Sequence, residues 1–150
     1  MLTNMTDTVR AAINLLNEGS VTCLLIKDEK IEKTLNRSGI GSIILMYESG
    51  LMPESFIADR IIGKAAAMIL VLGRARACYG KIMSKAALAY LQENGIEANY
   101  GTLVDQINNR AGDGICPMEQ TVHNIEAPAQ ALEALKNKVE ELRKISQGKL

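Results

Sequence analysis

The segment "CYGKIMSKAALAYLQENGIEANYG", residues 78–101, decides the fold of this chain. Together with the two residues before it, its apolar start predicts a buried strand over 76–83. Ser84 is a suitable N-cap for a helix over 85–94, which the following glycine can end, and residues 96–100 predict the next strand. Strands joined by so short a helical connection are parallel and form a right-handed βαβ unit. The segment therefore predicts an α/β protein.

The N-terminal part of the chain predicts a helix followed by a β-hairpin. Apolar residues recur at helical spacing over 6–18, and a glycine follows that can stop the helix. The stretch 20–35 contains an apolar strand, a charged turn at 28–30 and a second, more polar strand, which is the pattern of a hairpin. A glycine loop at 36–42 leads into the apolar stretch 43–49, for which a helix and a strand both remain open because periodicity does not distinguish them.

Two further helices are predicted outside these segments. "DRIIGKAAAMILVLG", residues 59–73, is apolar on nearly all sides, which is typical of a buried helix, and Asp59 is its expected N-cap. A charged helix begins at Pro128 and carries one apolar stripe, formed by Leu132, Leu135, Val139 and Leu142. We expect this helix to dock on the sheet of its own domain, with a homodimer contact as the alternative. Because no repeat or linker divides the sequence, residues 1–150 are predicted to form a single domain.

Composition argues against several classes of function. Lysine plus arginine and aspartate plus glutamate both number 17, so no basic excess is available for general nucleic-acid binding, and aromatic residues are only 3% of the chain. The three cysteines form no CxxC motif, which favours a reducing compartment. The start of the chain lacks the apolar run of a secretory signal, and its most apolar stretch is too short to span a bilayer. We therefore expect a cytoplasmic protein with no membrane partner.

The order helix, hairpin, buried helix, strand, helix, strand resembles the cytidine-deaminase-like fold. Residues 78–101 are similar to the strand–helix–strand that usually holds the second zinc motif of that superfamily, and "ADRIIGKAAAMI" at 58–69 is similar to the start of its first motif helix. The resemblance covers residues 20–105 or so. The segments "DRIIGKAAA" at 59–67 and "GDGICPME" at 112–119 further resemble an uncharacterised bacterial and archaeal family in this superfold, a domain of unknown function. The resemblance implies a three-layer α/β/α sandwich whose mixed sheet contains a β-hairpin followed by a parallel βαβ unit.

The residues that bind zinc in that superfamily are absent at the matching positions. The family's signature is H-x-E on the first motif helix and P-C-x-x-C on the second, which supply three zinc ligands and a proton-shuttling glutamate. Here Asp59 stands at the position of the histidine and Ile61 at that of the glutamate, while residues 83–86 read Met-Ser-Lys-Ala. The resemblance therefore implies the fold without a catalytic zinc, and we expect neither a metal site nor a cofactor.

Cys116 is the sharpest catalytic candidate. It would be the N-cap of a short helix that starts with Pro117 and has Glu119 in its first turn. A helix N-terminus stabilises a thiolate, which is one way to prepare a nucleophile. On the alternative interpretation the segment is only a turn and a cap. We expect residues 112–119 to fold back over the end of the sheet and to bring Cys116 close to the helix start at Asp59.

Asp59 and Lys64 are candidates because of their positions in the apolar stretch 59–73. Asp59 is an ordinary N-cap on one interpretation and a catalytic carboxylate at the pocket on the other. Gly63 and Lys64 are unusual inside an apolar helix, and are explained either by close packing with an extended lysine or by a pocket lysine that meets an anion. The Gly-Lys pair is not a phosphate loop, because Ala65 stands where serine or threonine must follow.

The polar residues 108–113 complete the candidate set. They are either solvated loop residues or hydrogen-bonding groups for a polar ligand, with Arg110 as a fork for an anion. His123, the only histidine, has no identifiable partner and is interpreted as a structural or surface residue, not a catalytic one.

The leading hypothesis is a protein that binds a small polar or nucleotide-like ligand. In an extended form of this hypothesis the protein is an enzyme that uses Cys116. The predicted site comprises Asp59 and Cys116 as catalytic candidates and Lys64, Arg110, Asp113 and Glu119 as ligand contacts. A zinc-dependent nucleoside or base deaminase is one alternative, and a non-catalytic interaction or regulatory module is the other.

Overall fold

The computed structural model describes residues 6–37 and 39–148, which form six helices and five strands. The elements are α1 Asp7–Glu18, β1 Cys23–Lys27, β2 Lys30–Leu35, α2 Ile40–Glu48, β3 Phe56–Ile62, α3 Lys64–Leu72, β4 Ala77–Ser84, α4 Lys85–Glu93, β5 Glu97–Val104, α5 Pro117–Val122 and α6 Pro128–Gly148. No helix in these two ranges is long and apolar enough to cross a membrane.

The five strands form one mixed sheet in the order β2-β1-β3-β4-β5. Strand β1 pairs antiparallel with β2 in the predicted hairpin and antiparallel with β3, while β3, β4 and β5 run parallel. Helices α3 and α4 connect the parallel strands, so two βαβ units follow each other. The prediction of a mixed sheet with a hairpin followed by a parallel βαβ unit is confirmed.

Helices cover both faces of the sheet, which gives the predicted three layers. On one face α1 buries Val9, Ala12 and Leu16 against apolar side chains of the strands, among them Leu24 and Tyr79. On the other face a larger apolar cluster joins α2, α3, α4 and α6 to side chains of β1, β3 and β4. Because helix α3 lies inside this second cluster, six of its nine residues are buried.

The prediction of one helix over residues 59–73 is wrong. Asp59 lies in the middle of β3, where it pairs with Cys23 of β1, and α3 begins only at Lys64, with Gly63 as its N-cap. Periodicity is misleading here because a central strand and a buried helix are both apolar on all sides. The composition on the two sides of the glycine does differ: isoleucines, which favour strands, precede it, and three alanines, which favour helices, follow it.

Three other predictions have clear outcomes. The apolar stretch 43–49, whose pattern suits a helix and a strand equally, forms most of α2. Ser84 caps α4 as predicted, because its hydroxyl accepts a hydrogen bond from the N–H of Ala87 at 3.1 Å. Helix α6 docks on its own domain and fully buries Ala131 and Leu135, but it packs mainly against α3 and α5, not against the sheet as predicted.

Candidate functional site

A cleft of about 470 Å³ opens at the carboxyl ends of β4 and β5. The starts of α3 and α4 form one side of it, and the segment that follows β5, including α5, forms the other. Its walls are formed by Lys64, Ser84, Ala86, Asp105, Gln106, Ile107, Ile115, Glu119, Gln120, His123 and Asn124. Ligands of open parallel sheets bind beyond the carboxyl ends of the strands, which makes this cleft the candidate site.

The carboxylate of Glu119 is seated on the N-terminus of α3. It accepts hydrogen bonds from the backbone N–H of Lys64 at 2.8 Å and of Ala65 at 3.0 Å. Gly63 makes this approach possible, because a Cβ at that position would lie only 2.5 Å from Oε2 of Glu119. Burial raises the pKa of the Glu119 carboxyl, while the two N–H donors and the Lys64 ammonium lower it. The contact fixes α5 against α3 across 55 residues of sequence.

The side chain of Lys64 lies at the wall of the cleft, in agreement with its expected place beside a pocket. Only 15% of that side chain is exposed, and its Nζ lies 3.2 Å from Oε2 of Glu126 and 3.3 Å from the carbonyl oxygen of His123. Glu126 itself is 80% exposed, so this ion pair is solvated on one side and adds little to stability. The ammonium can therefore exchange its solvated carboxylate partner for an anionic group in the cleft.

Another part of the cleft lies around the start of α4. Ser84 is buried as the N-cap of that helix, and Asp105, which directly follows β5, lies 2.8 Å from Nζ of Lys85. The hydrogen bond from Lys85 lowers the pKa of the Asp105 carboxyl and raises that of the lysine. Both side chains are largely exposed, so this pair marks the rim of the cleft.

Two residues of α5 and two of the turn that follows it line the cleft, and only the first of them was predicted. Glu119, Gln120, His123 and Asn124 all line the cleft and follow the spacing i, i+1, i+4, i+5, which places them on one side of a helical turn. A helix was predicted to begin after Cys116, so this spacing could have located the other three from Glu119. His123 was interpreted as a structural or surface residue for want of a partner; it is exposed and lines the cleft.

The loop before α5 folds back as expected, but a different residue reaches the start of α3. Gly112 adopts φ +77°, and Cys116 is the predicted N-cap, half-buried, with its N–H bonded to the carbonyl oxygen of Ile107. Cys116 does not line the cleft, and the helix start at Asp59 to which it was assigned does not exist. The group that meets the start of α3 is the carboxylate of Glu119.

Arg110 and Asp113 lie on the exposed part of that loop and do not line the cleft. Oδ1 of Asp113 accepts a hydrogen bond from the side-chain amide of Asn109 at 3.0 Å, which closes the turn on itself. Of the six predicted site residues, the structure brings together Lys64 and Glu119.

Asp59 is a buried carboxyl within the sheet. Its Oδ1 accepts the N–H of Arg60 at 2.7 Å, and burial raises the pKa of Asp59 from its ordinary 3.8 to about 8. Burial likewise raises the pKa of Cys78 to about 12 and that of Cys23 well above its usual range, and the Asp59 charge acts in the same direction on both thiols. At neutral pH these three groups are therefore uncharged, which suits the interior of a sheet.

A second cavity, of about 640 Å³, lies at the amino ends of β3, β4 and β5. Its walls are rich in charged side chains, namely Lys27, Asp28, Glu29, Glu54, Arg76 and Glu97. It is larger than the cleft, but it contains no residue of the predicted site and lies at the end of the strands opposite to the usual ligand position. We therefore take the smaller cleft as the candidate site.

A family model matches residues 11–139 of the chain, and its description is TM1506, domain of unknown function (DUF1893). The chain belongs to this family. A crystal structure of a DUF1893 family protein (TM1506) from Thermotoga maritima is similar to it with a TM-score of 0.80 and 20% sequence identity, covering 89% of this chain and 91% of that one. At this identity the likeness concerns the fold alone. No curated protein matches the sequence.

The described part of this DUF1893 protein contains no cluster of metal-binding side chains. In residues 6–37 and 39–148, no three histidine, cysteine, aspartate or glutamate side chains are grouped so that they could hold one. In the cleft itself, Asp105 pairs with Lys85, and Glu119 is bonded to two backbone N–H groups. The polar groups of the cleft are therefore suited to hydrogen bonding and ion pairing.

Proposed function

We propose that this DUF1893 protein binds a small polar ligand, nucleotide-like in size and polarity, in the cleft between α3, α4 and α5. The observation that carries the proposal is that the Lys64 ammonium and the polar side chains of Gln120, His123 and Asn124 line the same cleft at the carboxyl ends of parallel strands. The volume of about 470 Å³ lies within the range of small-molecule sites.

The chemistry of the walls favours a ligand with an anionic group and several hydrogen-bonding atoms. Lys64 supplies the positive charge, and its partner Glu126 is exposed enough to release it. The amides of Gln120 and Asn124 and the imidazole of His123 offer both donors and acceptors. Arg110, Asp113 and Cys116 belong to the loop that precedes α5 and do not line the cleft, so the proposal assigns them no ligand contact.

The nucleotide-like class of ligand is proposed from the resemblance to the cytidine-deaminase-like fold. What supports the resemblance is the order of elements: a helix, a hairpin, a helix and then strand–helix–strand, present as α1, β1–β2, α2 and β3–α3–β4. The first motif helix cannot start at Asp59, however, because residues 59–62 belong to strand β3. The helices that follow the hairpin and β3 begin Ile40-Gly41-Ser42 and Lys64-Ala65-Ala66, none of which is a zinc ligand. The residues do not fit a deaminase zinc, and we propose no zinc-dependent step.

A reaction at Cys116 has less support than binding. The thiol is half-buried, and no side chain in the described part of the chain is hydrogen-bonded to it as a base would be.

A thermal-shift screen tests the proposal. Nucleosides, nucleoside monophosphates and small carboxylates are each added at millimolar concentration, and the melting temperature is recorded. A ligand at 100 times its Kd stabilises the native state by about 2.7 kcal/mol, which raises the melting temperature of a chain of this size by roughly 5–10 °C. We expect at least one anionic compound to give such a shift and its uncharged analogue to give less. A panel without any shift would contradict the proposal.

A further inference from the structure

The two edges of the sheet are unequal. Strand β2, at one edge, carries Lys30, Glu32 and Lys33 among its six residues, and its pairing with β1 contains a register shift between Leu25 and Ile26. Charged side chains and irregular pairing are devices by which proteins prevent an edge strand from pairing with another chain. The β2 edge is therefore protected.

Strand β5, at the other edge, has none of these devices. It is eight residues long, from Glu97 to Val104, and the seven residues from Ala98 onward include no charged residue and no proline. Its register with β4 is regular along its whole length, and the elements it packs against are β4 and α4, which precede it in the chain. Gly101 and Thr102 are exposed on it, so a long, neutral and regular edge faces outward.

We propose that β5 pairs antiparallel with β5 of a second copy of this chain, joining two five-stranded sheets across a two-fold axis. The outer N–H and C=O groups of a long edge strand are a template for another strand. Within residues 98–104 a strand placed opposite itself brings no like charges together, and the nearest acids, Glu97 and Asp105, lie just outside that stretch.

The second copy fits this edge better than the β2 edge does. Pairing β5 with β2 of another molecule would be head-to-tail, would not close, and would place the charged side chains of β2 in the junction. When β5 pairs with β5 of a second molecule, the assembly is complete with two molecules. The protected β2 edges of both molecules then lie at the two ends of a ten-stranded sheet. The inference does not depend on the proposed ligand.

Two exposed threonines on opposite edges give a matched test. Thr102→Lys places a positive charge on β5, and Thr34→Lys makes the same change on β2, where Thr34 is also exposed. Sedimentation equilibrium of the full chain between about 5 and 200 μM measures the dimer dissociation constant, and circular dichroism checks that both variants fold. Each dimer would receive two ammonium groups in the interface from Thr102→Lys and none from Thr34→Lys.

We expect the wild type and Thr34→Lys to form dimers with the same dissociation constant, and Thr102→Lys to dimerise at least tenfold more weakly. Hydrogen exchange of the amides of residues 98–104 should be slower at 200 μM than at 5 μM in the wild type. A wild type that is monomeric at 200 μM, or a Thr102→Lys variant that dimerises as tightly as Thr34→Lys, overturns the proposal. The second result would place the dimer contact on another surface, such as α6.

Discussion

Replacing the buried carboxyl of Asp59 by an amide should stabilise the protein and remove most of the pH dependence of its stability between pH 5 and 8. Asp59 lies in the centre of the sheet with a pKa raised by burial to about 8, and its ordinary value is 3.8. Between these two values the native state holds a proton that the unfolded chain has released. The free energy of unfolding therefore falls by about 1.4 kcal/mol for each pH unit of increase in this range, and stability is highest at its acidic end.

The size of the effect follows from the same two values. At pH 7, about three pH units above the ordinary pKa, keeping Asp59 protonated costs about 4 kcal/mol. Asp59→Asn has no proton to lose, and its amide oxygen can still accept the N–H of Arg60. We expect the variant to gain a few kcal/mol at pH 7. The free energy of unfolding of this variant should still fall with increasing pH, but less steeply, because burial also raises the pKa of Glu119.

Urea unfolding at pH 5.5, 6.5 and 7.5, followed by circular dichroism at one protein concentration, measures these free energies. Asp113→Asn, in the exposed loop, is the matched control and should behave like the wild type. If Asp59→Asn and the wild type show the same pH slope, or if the variant is the less stable of the two at pH 7.5, the assignment of a neutral Asp59 is refuted.

Two further outcomes are expected. Gly63→Ala should lower the free energy of unfolding by about 1–3 kcal/mol, because the new Cβ would lie 2.5 Å from Oε2 of Glu119. In the control Gly41→Ala, in α2, the new Cβ meets open space, and the change should be neutral or stabilising. Equal effects of the two changes in urea unfolding would contradict the role given to the Glu119 contact. Iodoacetamide should label Cys116, which is half-buried, faster than the two fully buried cysteines of the native protein, as mass spectrometry can measure; equal rates would show that the Cys116 thiol is not accessible.

The sequence contains enough local information to predict the βαβ unit around α4. A polar cap, a glycine stop and two short apolar strands occur there within about 25 residues, and each signal acts through its immediate neighbours. Residues 56–72 lack such signals. Strand β3 and helix α3 are both mostly apolar and buried and are separated by Gly63 alone, so their boundary depends on which strands lie beside them.

The candidate site divides in the same way. Lys64 was predicted because it is a charged residue within an apolar stretch, and Glu119 because it is an acidic residue in the first turn of a predicted short helix. Glu119 binds the N–H groups of Lys64 and Ala65, which precede it by 55 and 54 positions in the chain. A contact over such a separation is not visible in any local sequence pattern. Cys116 and Arg110 are equally conspicuous in the sequence, but the path of the loop leaves both outside the cleft.

The most direct test of a ligand site beside Lys64 is a calorimetric titration of two lysine variants. Lys64→Met removes the ammonium at the wall of the cleft, and Lys81→Met removes an exposed ammonium of β4 that does not line it. A nucleoside monophosphate that stabilises the wild type in the thermal-shift screen is the probe. We expect Lys81→Met to bind it as the wild type does and Lys64→Met to bind it at least tenfold more weakly, since a charge-assisted contact contributes about 1.5–3 kcal/mol. Equal dissociation constants for the two variants would contradict a site in this cleft.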